Sequence, residues 1–154
     1  MYKFDEQLKK GERQEKRLDE FFSRWYSIRK VSRKMQRAGI DRIYREWGNG
    51  KEILVEYKSD WKASRTGNVF VETVSVDTEN KPGWAYASQA DILIYFLPDD
   101  DLVYVMRMED VRGHLEEWGR RYMKRTIPNR GYGTVGLPVA QWEFEKLAIR
   151  ILVI

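Results

Sequence analysis

Apolar side chains first recur at three- and four-residue spacing. Between 5 and 26, Leu8, Leu18, Phe22 and Trp25 fall on one stripe shared with Gly11/Glu12 and Glu15, which predicts an amphipathic helix. Glu15 is a charge on an apolar line and needs a partner. Either an arginine of its own helix supplies one, or the carboxylate faces a site. Residues 27–38 are basic and weakly patterned, predicting an irregular connection or short strand.

The period then changes to two. Residues 40–47 and 52–58 read as strands joined by Gly48-Asn49-Gly50, a hairpin turn because Asn-Gly tolerates positive φ. On the second strand Ile53, Val55 and Tyr57 alternate with Leu54, Glu56 and Lys58, so Glu56 and Lys58 share a face. Residues 59–67 read as a polar, basic loop, and 69–76 as a β-branched third strand. A turn at 77–82 leads to a short helix or turn at 83–89. The apolar run 90–97 has the character of a buried central strand, and 102–108 returns as a fifth. Val111, Leu115, Trp118 and Tyr122 mark a helix over 109–123. The prolines and glycines of 125–138 predict a loop, and the apolar end of 139–154 an edge strand or a dimer contact. These elements describe one α/β domain spanning 1–154, with a mixed sheet flanked by helices and a C-terminal extension from about 125.

Composition narrows the function classes. The 154 residues, 42% hydrophobic and 14% aromatic, are enough to bury a core despite the high charge. No run of ~18 apolar residues occurs, so no transmembrane helix and no membrane partner are expected. The charged start lacks the apolar segment of a signal peptide. Cysteine is absent, which rules out thiolate metal sites and a cysteine nucleophile and fits a reducing, cytoplasmic interior. A single histidine, His114, excludes a multi-histidine metal site. Trp47, Trp61 and Trp84 suit packing better than base stacking. The net charge of +4 matters less than its distribution. Arg29, Lys30, Arg33, Lys34 and Arg37 precede the hairpin, Lys62 and Arg65 follow it, and a second basic group covers 120–130. Such clusters beside carboxylates suit a surface that tracks phosphates.

Asp41 opens the first strand of the hairpin, so the hairpin gathers Asp41, Glu56 and Lys58. Two carboxylates and an ammonium at a sheet edge can hold a divalent cation and an activated water. The order helix, hairpin, third strand, short helix, fourth strand, with Ile40-Asp41 and then Glu56-Tyr57-Lys58, resembles the PD-(D/E)XK nuclease superfamily over about residues 11–97. Ile40 replaces the usual proline. Gly11-Glu12…Glu15-x-x-Leu18 looks like the N-terminal helix of Holliday-junction resolvases and related phage nucleases. Thr66–Glu72 and Gly83-Trp84…Ala90-Asp91 look like small phage and bacterial members.

The resemblance implies a restriction-endonuclease-like core. It also implies Mg²⁺- or Mn²⁺-dependent cleavage of DNA, branched or structured DNA included. Asp41, Glu56 and the Tyr57 carbonyl would be metal ligands and Lys58 the catalytic ammonium. A helix glutamate would complete the site, Glu15 fitting the spacing better than Glu12. Glu72 and Gln36 are further acidic or substrate-contacting candidates. A homodimer, and a host-cell cytoplasm if the chain is phage-encoded, belong to the same expectation. The alternative is a catalytically inactive protein of this fold that binds nucleic acid or serves in assembly.

Overall fold

The computed structural model describes residues 2–154, with side chains from Phe4 onward. Helix α1 (Tyr2–Phe22) leads into β1 (Tyr26–Lys30), α2 (Arg33–Arg37), β2 (Arg42–Glu46) and β3 (Glu52–Ser59). Then come α3 (Ala63–Thr66), β4 (Asn68–Val76), β5 (Lys81–Pro82), α4 (Trp84–Ala87), β6 (Ile92–Leu97) and β7 (Leu102–Arg107). The chain finishes with α5 (Met108–Arg121), β8 (Arg125–Pro128), β9 (Gly133–Ala140), α6 (Gln141–Leu147) and β10 (Arg150–Val153). None of the described helices is long and apolar enough to cross a membrane.

The strands form a six-stranded mixed sheet, ordered β1-β2-β3-β6-β7-β10, and a four-stranded sheet, ordered β5-β4-β9-β8. In the larger sheet β1, β2 and β3 are an antiparallel meander, and β6 lies parallel to β3 in register Glu56↔Leu93. The crossover from β3 to β6 carries α3, β4, β5 and α4, and β4 leaves to found the second sheet. The third strand read from the sequence therefore exists but belongs to the other sheet, facing the hairpin across a cleft.

Period-2 alternation divides the large sheet into two faces. Val55, Tyr57, Ile94, Phe96 and Val103 pack beneath α1, which contributes Leu18 and Phe22 at 0% and 5% exposure. Each of those helix side chains stabilises the layer by about 1.5–3 kcal/mol through burial. On the opposite face Leu93, Tyr95, Tyr104 and Met106 meet Val69, Val71, Leu137, Val139, Trp84, Trp118 and Phe144. Only the last turns of α1 are covered, because the helix outruns the sheet, so Leu8, expected on the buried stripe, is exposed. Trp25, expected on the same stripe, is also exposed and lies in the turn after the helix ends at Phe22.

Three further expectations need correction. Residues 27–38 do hold a short strand, one of the two forms expected there, but they add a short helix that was not expected. β1 lies at the sheet edge and exposes Arg29 and Lys30, which weakens its alternation. The α2 helix starts at Ser32, whose hydroxyl accepts from the Met35 N–H at 3.3 Å. At the hairpin it is Gly48 and Gly50 that take positive φ, at 98° and 69°. Asn49 instead uses its side chain, accepting from Lys51 N at 2.8 Å and donating to Glu46. Residues 125–138, read as a loop, contain β8 and most of β9. β9 is central in the small sheet, yet it tolerates Pro138 because β8 pairs only with Gly133 to Gly136, leaving that flank of Pro138 unpaired.

Candidate active site

The approach to Asp41 is fixed by backbone. Gly39 sits at φ +78°, and a Cβ there would lie 2.7 Å from the Ser88 Cα, so only glycine lets α2 close onto the end of α4. The contact is bonded on both sides of Gly39. Ser88 Oγ donates to the Gly39 carbonyl at 2.8 Å, and Gln89 N donates to the Ala38 carbonyl at 2.8 Å. Buried Ile40 anchors the next position. Asp41 N then donates to the Val55 carbonyl, and Tyr57 N donates to Asp41 Oδ2, both at 2.8 Å. Asp41 is thus held against the middle of the Glu56-Tyr57-Lys58 run.

Glu56 is 2% exposed, with Oε1 2.9 Å from Lys58 Nζ. Its Oε2 is buried and has no hydrogen-bond partner. Burial raises the Glu56 pKa above the ordinary carboxylate value, against the opposing pull of Lys58 and of the nearby Ser88 hydroxyl. Burial alone would lower the Lys58 pKa, but Glu56, Asp41 and Glu72 together hold the ammonium charged and raise it. Glu72 comes from β4, across the cleft. Its Oε1 accepts from Trp84 N at 3.4 Å, and burial raises its pKa while Lys58 opposes the rise. A Cβ on Gly83 would lie 2.5 Å from the Glu72 carbonyl oxygen and 2.7 Å from its Cγ, so the α4 entry is built around this glutamate. Four expected residues, Asp41, Glu56, Lys58 and Glu72, therefore meet in one electrostatic group.

Glu15 meets only part of that group. The β2–β3 register pairs Arg42 with Val55, which turns Arg42 toward α1, on the face opposite Glu56. There Arg42, 4% exposed, bonds Glu15 Oε2 at 3.2 Å and Asp19 Oδ1 at 3.0 Å. Burial raises the Glu15 pKa, Arg42 opposes this, and Asp41 adds to it, so Glu15 feels the site across the sheet end while bound to Arg42. Asp19 was not anticipated from the sequence. It accepts from the Tyr57 hydroxyl at 2.8 Å, and Tyr57 shares a 2.5 Å bond with Tyr44. Burial pushes both tyrosine pKa values well up. The available signal was an acid four residues after Glu15 on the same helix face, flanking buried Leu18. Tyr57 consequently holds Asp41 through its backbone and α1 through its side chain.

Glu12 and Gln36 are exposed, and neither side chain is bonded into this group. Arg33, Lys34 and Arg37 are exposed on the helix that delivers Asp41, and Lys62 and Arg65 on the segment after β3. No carboxylate partner engages these five among the described residues, whereas Arg29 lies 3.6 Å from Glu52. His114 binds the Asp110 carbonyl within α5 at 2.8 Å and stacks near Trp118, a packing role. Trp84 is buried, but Trp47, expected to pack, is 66% exposed.

No group of three carboxylate or imidazole ligands is gathered for a metal among the described residues. The fit of a cation rests instead on the donor set. Asp41 and Glu56 offer hard oxygens, and one of those oxygens is buried without a partner. Mg²⁺ is commonly held by one or two carboxylates and several waters, so two suffice. No family model, curated protein or solved structure matches the chain.

Proposed function

We propose that the protein is a divalent-metal-dependent nuclease that hydrolyses phosphodiester bonds in DNA on a restriction-endonuclease-like core. The observation that carries this reading is the pairing of a buried glutamate, one oxygen unpartnered, with a lysine two residues on, beside a backbone-held aspartate. A buried carboxylate without full pairing costs stability, and a cation ligand gives it a use. Asp41 and Glu56 would hold Mg²⁺ or Mn²⁺, with the Tyr57 carbonyl as a further donor. The bound cation supplies Lewis-acid neutralisation of phosphate charge and acidifies a water.

The chain's own residues do the rest. Lys58 places a fixed positive charge where charge builds on the scissile phosphate, and it orients the attacking water. Tyr57 N–H keeps Asp41 from swinging away, and Glu72 keeps the Lys58 ammonium inside the cleft. Arg33, Lys34, Arg37, Lys62 and Arg65 hold the phosphates on either side. One site per chain suits a homodimer for cutting both strands, in a cytoplasmic setting that the absence of cysteine favours.

The Glu56–Lys58 ion pair at 2.9 Å favours a second reading, in which the pair only braces the sheet of a DNA-binding or assembly protein. Cleavage of linear, nicked and four-way-junction DNA with Mg²⁺ or Mn²⁺ separates the two. The nuclease reading expects activity that Glu56→Ala and Lys58→Ala each abolish. Undiminished activity in both variants would remove the mechanism, and no activity in the wild type would leave the binding protein.

A further inference from the structure

Beyond Lys58 the cleft widens into a cavity of about 620 Å³ between the segment after β3 and the β8–β9 hairpin. Its volume lies within the ~300–1,000 Å³ that enclose a ligand of small-molecule size. Trp61, Phe70, Ile127 and Pro138 form apolar walls, while Lys62 and Arg125 place cations among them. Lys58 and Glu72 line the same space, so it is continuous with the group that holds the phosphate in the proposed reaction.

The Trp61 wall is built in advance. Asp60 Oδ1 accepts from Lys62 N at 2.9 Å and Ala63 N at 3.0 Å, fixing the turn that carries Trp61. Asp60 Oδ2 accepts from the buried Tyr95 hydroxyl at 2.6 Å and from Phe70 N at 3.3 Å, tying that turn to both sheets. Lys10 Nζ of α1 lies 4.3 Å from the centre of the Trp61 ring, bringing a cation to the platform. The Phe70 wall is equally specific. The Phe70 ring lies against Gly136, where a Cβ would sit 2.4 Å from Cζ.

We infer that this cavity takes an unpaired nucleobase next to the scissile phosphate, so that the substrate is single-stranded DNA or the unpaired arm of a fork. The inference rests on the nuclease reading for the identity of its ligand. A base within a duplex has its faces covered by neighbours and cannot enter an apolar cavity, whereas an unstacked one can lie on an aromatic ring. The charges agree with this occupant. A hole with apolar walls whose cations, Lys58, Lys62 and Arg125, outnumber the carboxylates Asp60 and Glu72 suits a flat aromatic group attached to a phosphodiester.

The test is fluorescence anisotropy of the full chain in EDTA, where binding is read without hydrolysis. The probes are labelled oligodeoxythymidylate, a forked duplex and a blunt duplex of equal length. We expect the single strand and the fork to bind about tenfold or more tighter than the blunt duplex, from the usual strength of base–aromatic stacking. Trp61→Ala should remove most of that preference, while Trp61→Phe retains it. Retention by the phenylalanine variant, and an unshifted melting curve for the alanine variant, separate stacking from misfolding.

Equal or tighter binding of the blunt duplex, no binding of any probe, or a preference that survives Trp61→Ala each overturns the inference. Its failure is distinguishable from that of the nuclease reading. Single-strand preference without cleavage in Mg²⁺ or Mn²⁺ removes only the nuclease, and cleavage without the preference removes only the base cavity.

Discussion

Replacing Glu56 by glutamine tests whether this carboxylate is kept for chemistry at the expense of stability. One oxygen meets Lys58 and the other has no partner in hydrogen-bond geometry, although the Ser88 hydroxyl is near enough to the carboxylate to favour its charged form, in a side chain 3% exposed. A buried acceptor left unpaired costs about 1–3 kcal/mol, and a charged one more. Lys58 offsets part of that and loses a partner in the variant. However, the Lys58 side chain is 36% exposed and still faces Asp41 and Glu72. Glutamine keeps a polar atom at the unpaired position, so the variant recovers only what a buried charge costs beyond a buried neutral group, and Glu56→Gln should gain about 1 kcal/mol in the absence of metal. In a chain of this size that is about 2–4 °C in melting temperature.

The pH dependence follows from the direction of the shift. The folded-state pKa of Glu56 lies above its ordinary 4.5. Between those values the folded chain binds more protons than the unfolded one, so stability falls as pH rises through the interval. Glutamine does not titrate. The advantage of the variant should therefore be absent below pH 4.5 and full above the raised pKa. Melting curves followed by circular dichroism in EDTA, across this range and into mildly alkaline pH, measure it. Repeating them with Mn²⁺ at about a hundred times its dissociation constant should stabilise the wild type by about 2.7 kcal/mol and the variant far less. A variant that is less stable than the wild type at alkaline pH in EDTA, or equal gains with Mn²⁺, would refute the reasoning.

Other perturbations probe separate parts of the site. Lys58→Ala should lower cleavage by on the order of 10²- to 10³-fold, the usual loss when a charge-stabilising group is removed. It should also lower the melting temperature in EDTA, because buried Glu56 loses its ion-pair partner. Gly39→Ala forces a side chain into positive φ and onto Ser88, so denaturant titration should show a loss of about 1–3 kcal/mol, with cleavage falling because Asp41 moves. Arg42→Ala leaves Glu15 and Asp19, 40% and 26% exposed, facing each other without their shared cation and should cost about 1–2 kcal/mol by the same denaturant titration. An unchanged midpoint would show that α1 is held by Leu18 and Phe22 alone. Replacing Arg33, Lys34 and Arg37 together by alanine should flatten the salt dependence of DNA binding by about three phosphate contacts. An unaltered slope would move the DNA path off α2.

The hairpin was legible because its cues were local. Asn49 and Gly50 marked the turn, and alternation from Ile53 to Lys58 assigned the faces. What stayed hidden depended on partners remote in the chain. Nothing near Glu72 announces that β4 leaves the main sheet, since that choice is made by pairing with β9. Pro128, Pro138 and the glycines from 131 to 136 look like loop residues until β9 is seen with β8 ending short of Pro138 and Phe70 needing Gly136 bare. Glu15 was correctly singled out as a charge in need of a partner. The partner is Arg42 on β2, and only the register that turns Arg42 toward α1 reveals it. Asp19 and Tyr57 were ordinary residues in sequence and became a brace between helix and strand only through that packing.

The pairing of β4 with β9, from Asn68↔Ala140 to Val74↔Val135, also sets an order of assembly. Asp41, Glu56 and Lys58 emerge early in synthesis, but the strand that holds β4, and Glu72 with it, follows several seconds later at about 5–20 residues per second. Contacts closing so long a stretch of chain are also the slow ones to form. The cleft is therefore completed only once β9 has been made and has paired with β4. A nascent chain that carries Asp41, Glu56 and Lys58 but not yet β9 thus lacks the strand that pins Glu72 across the cleft.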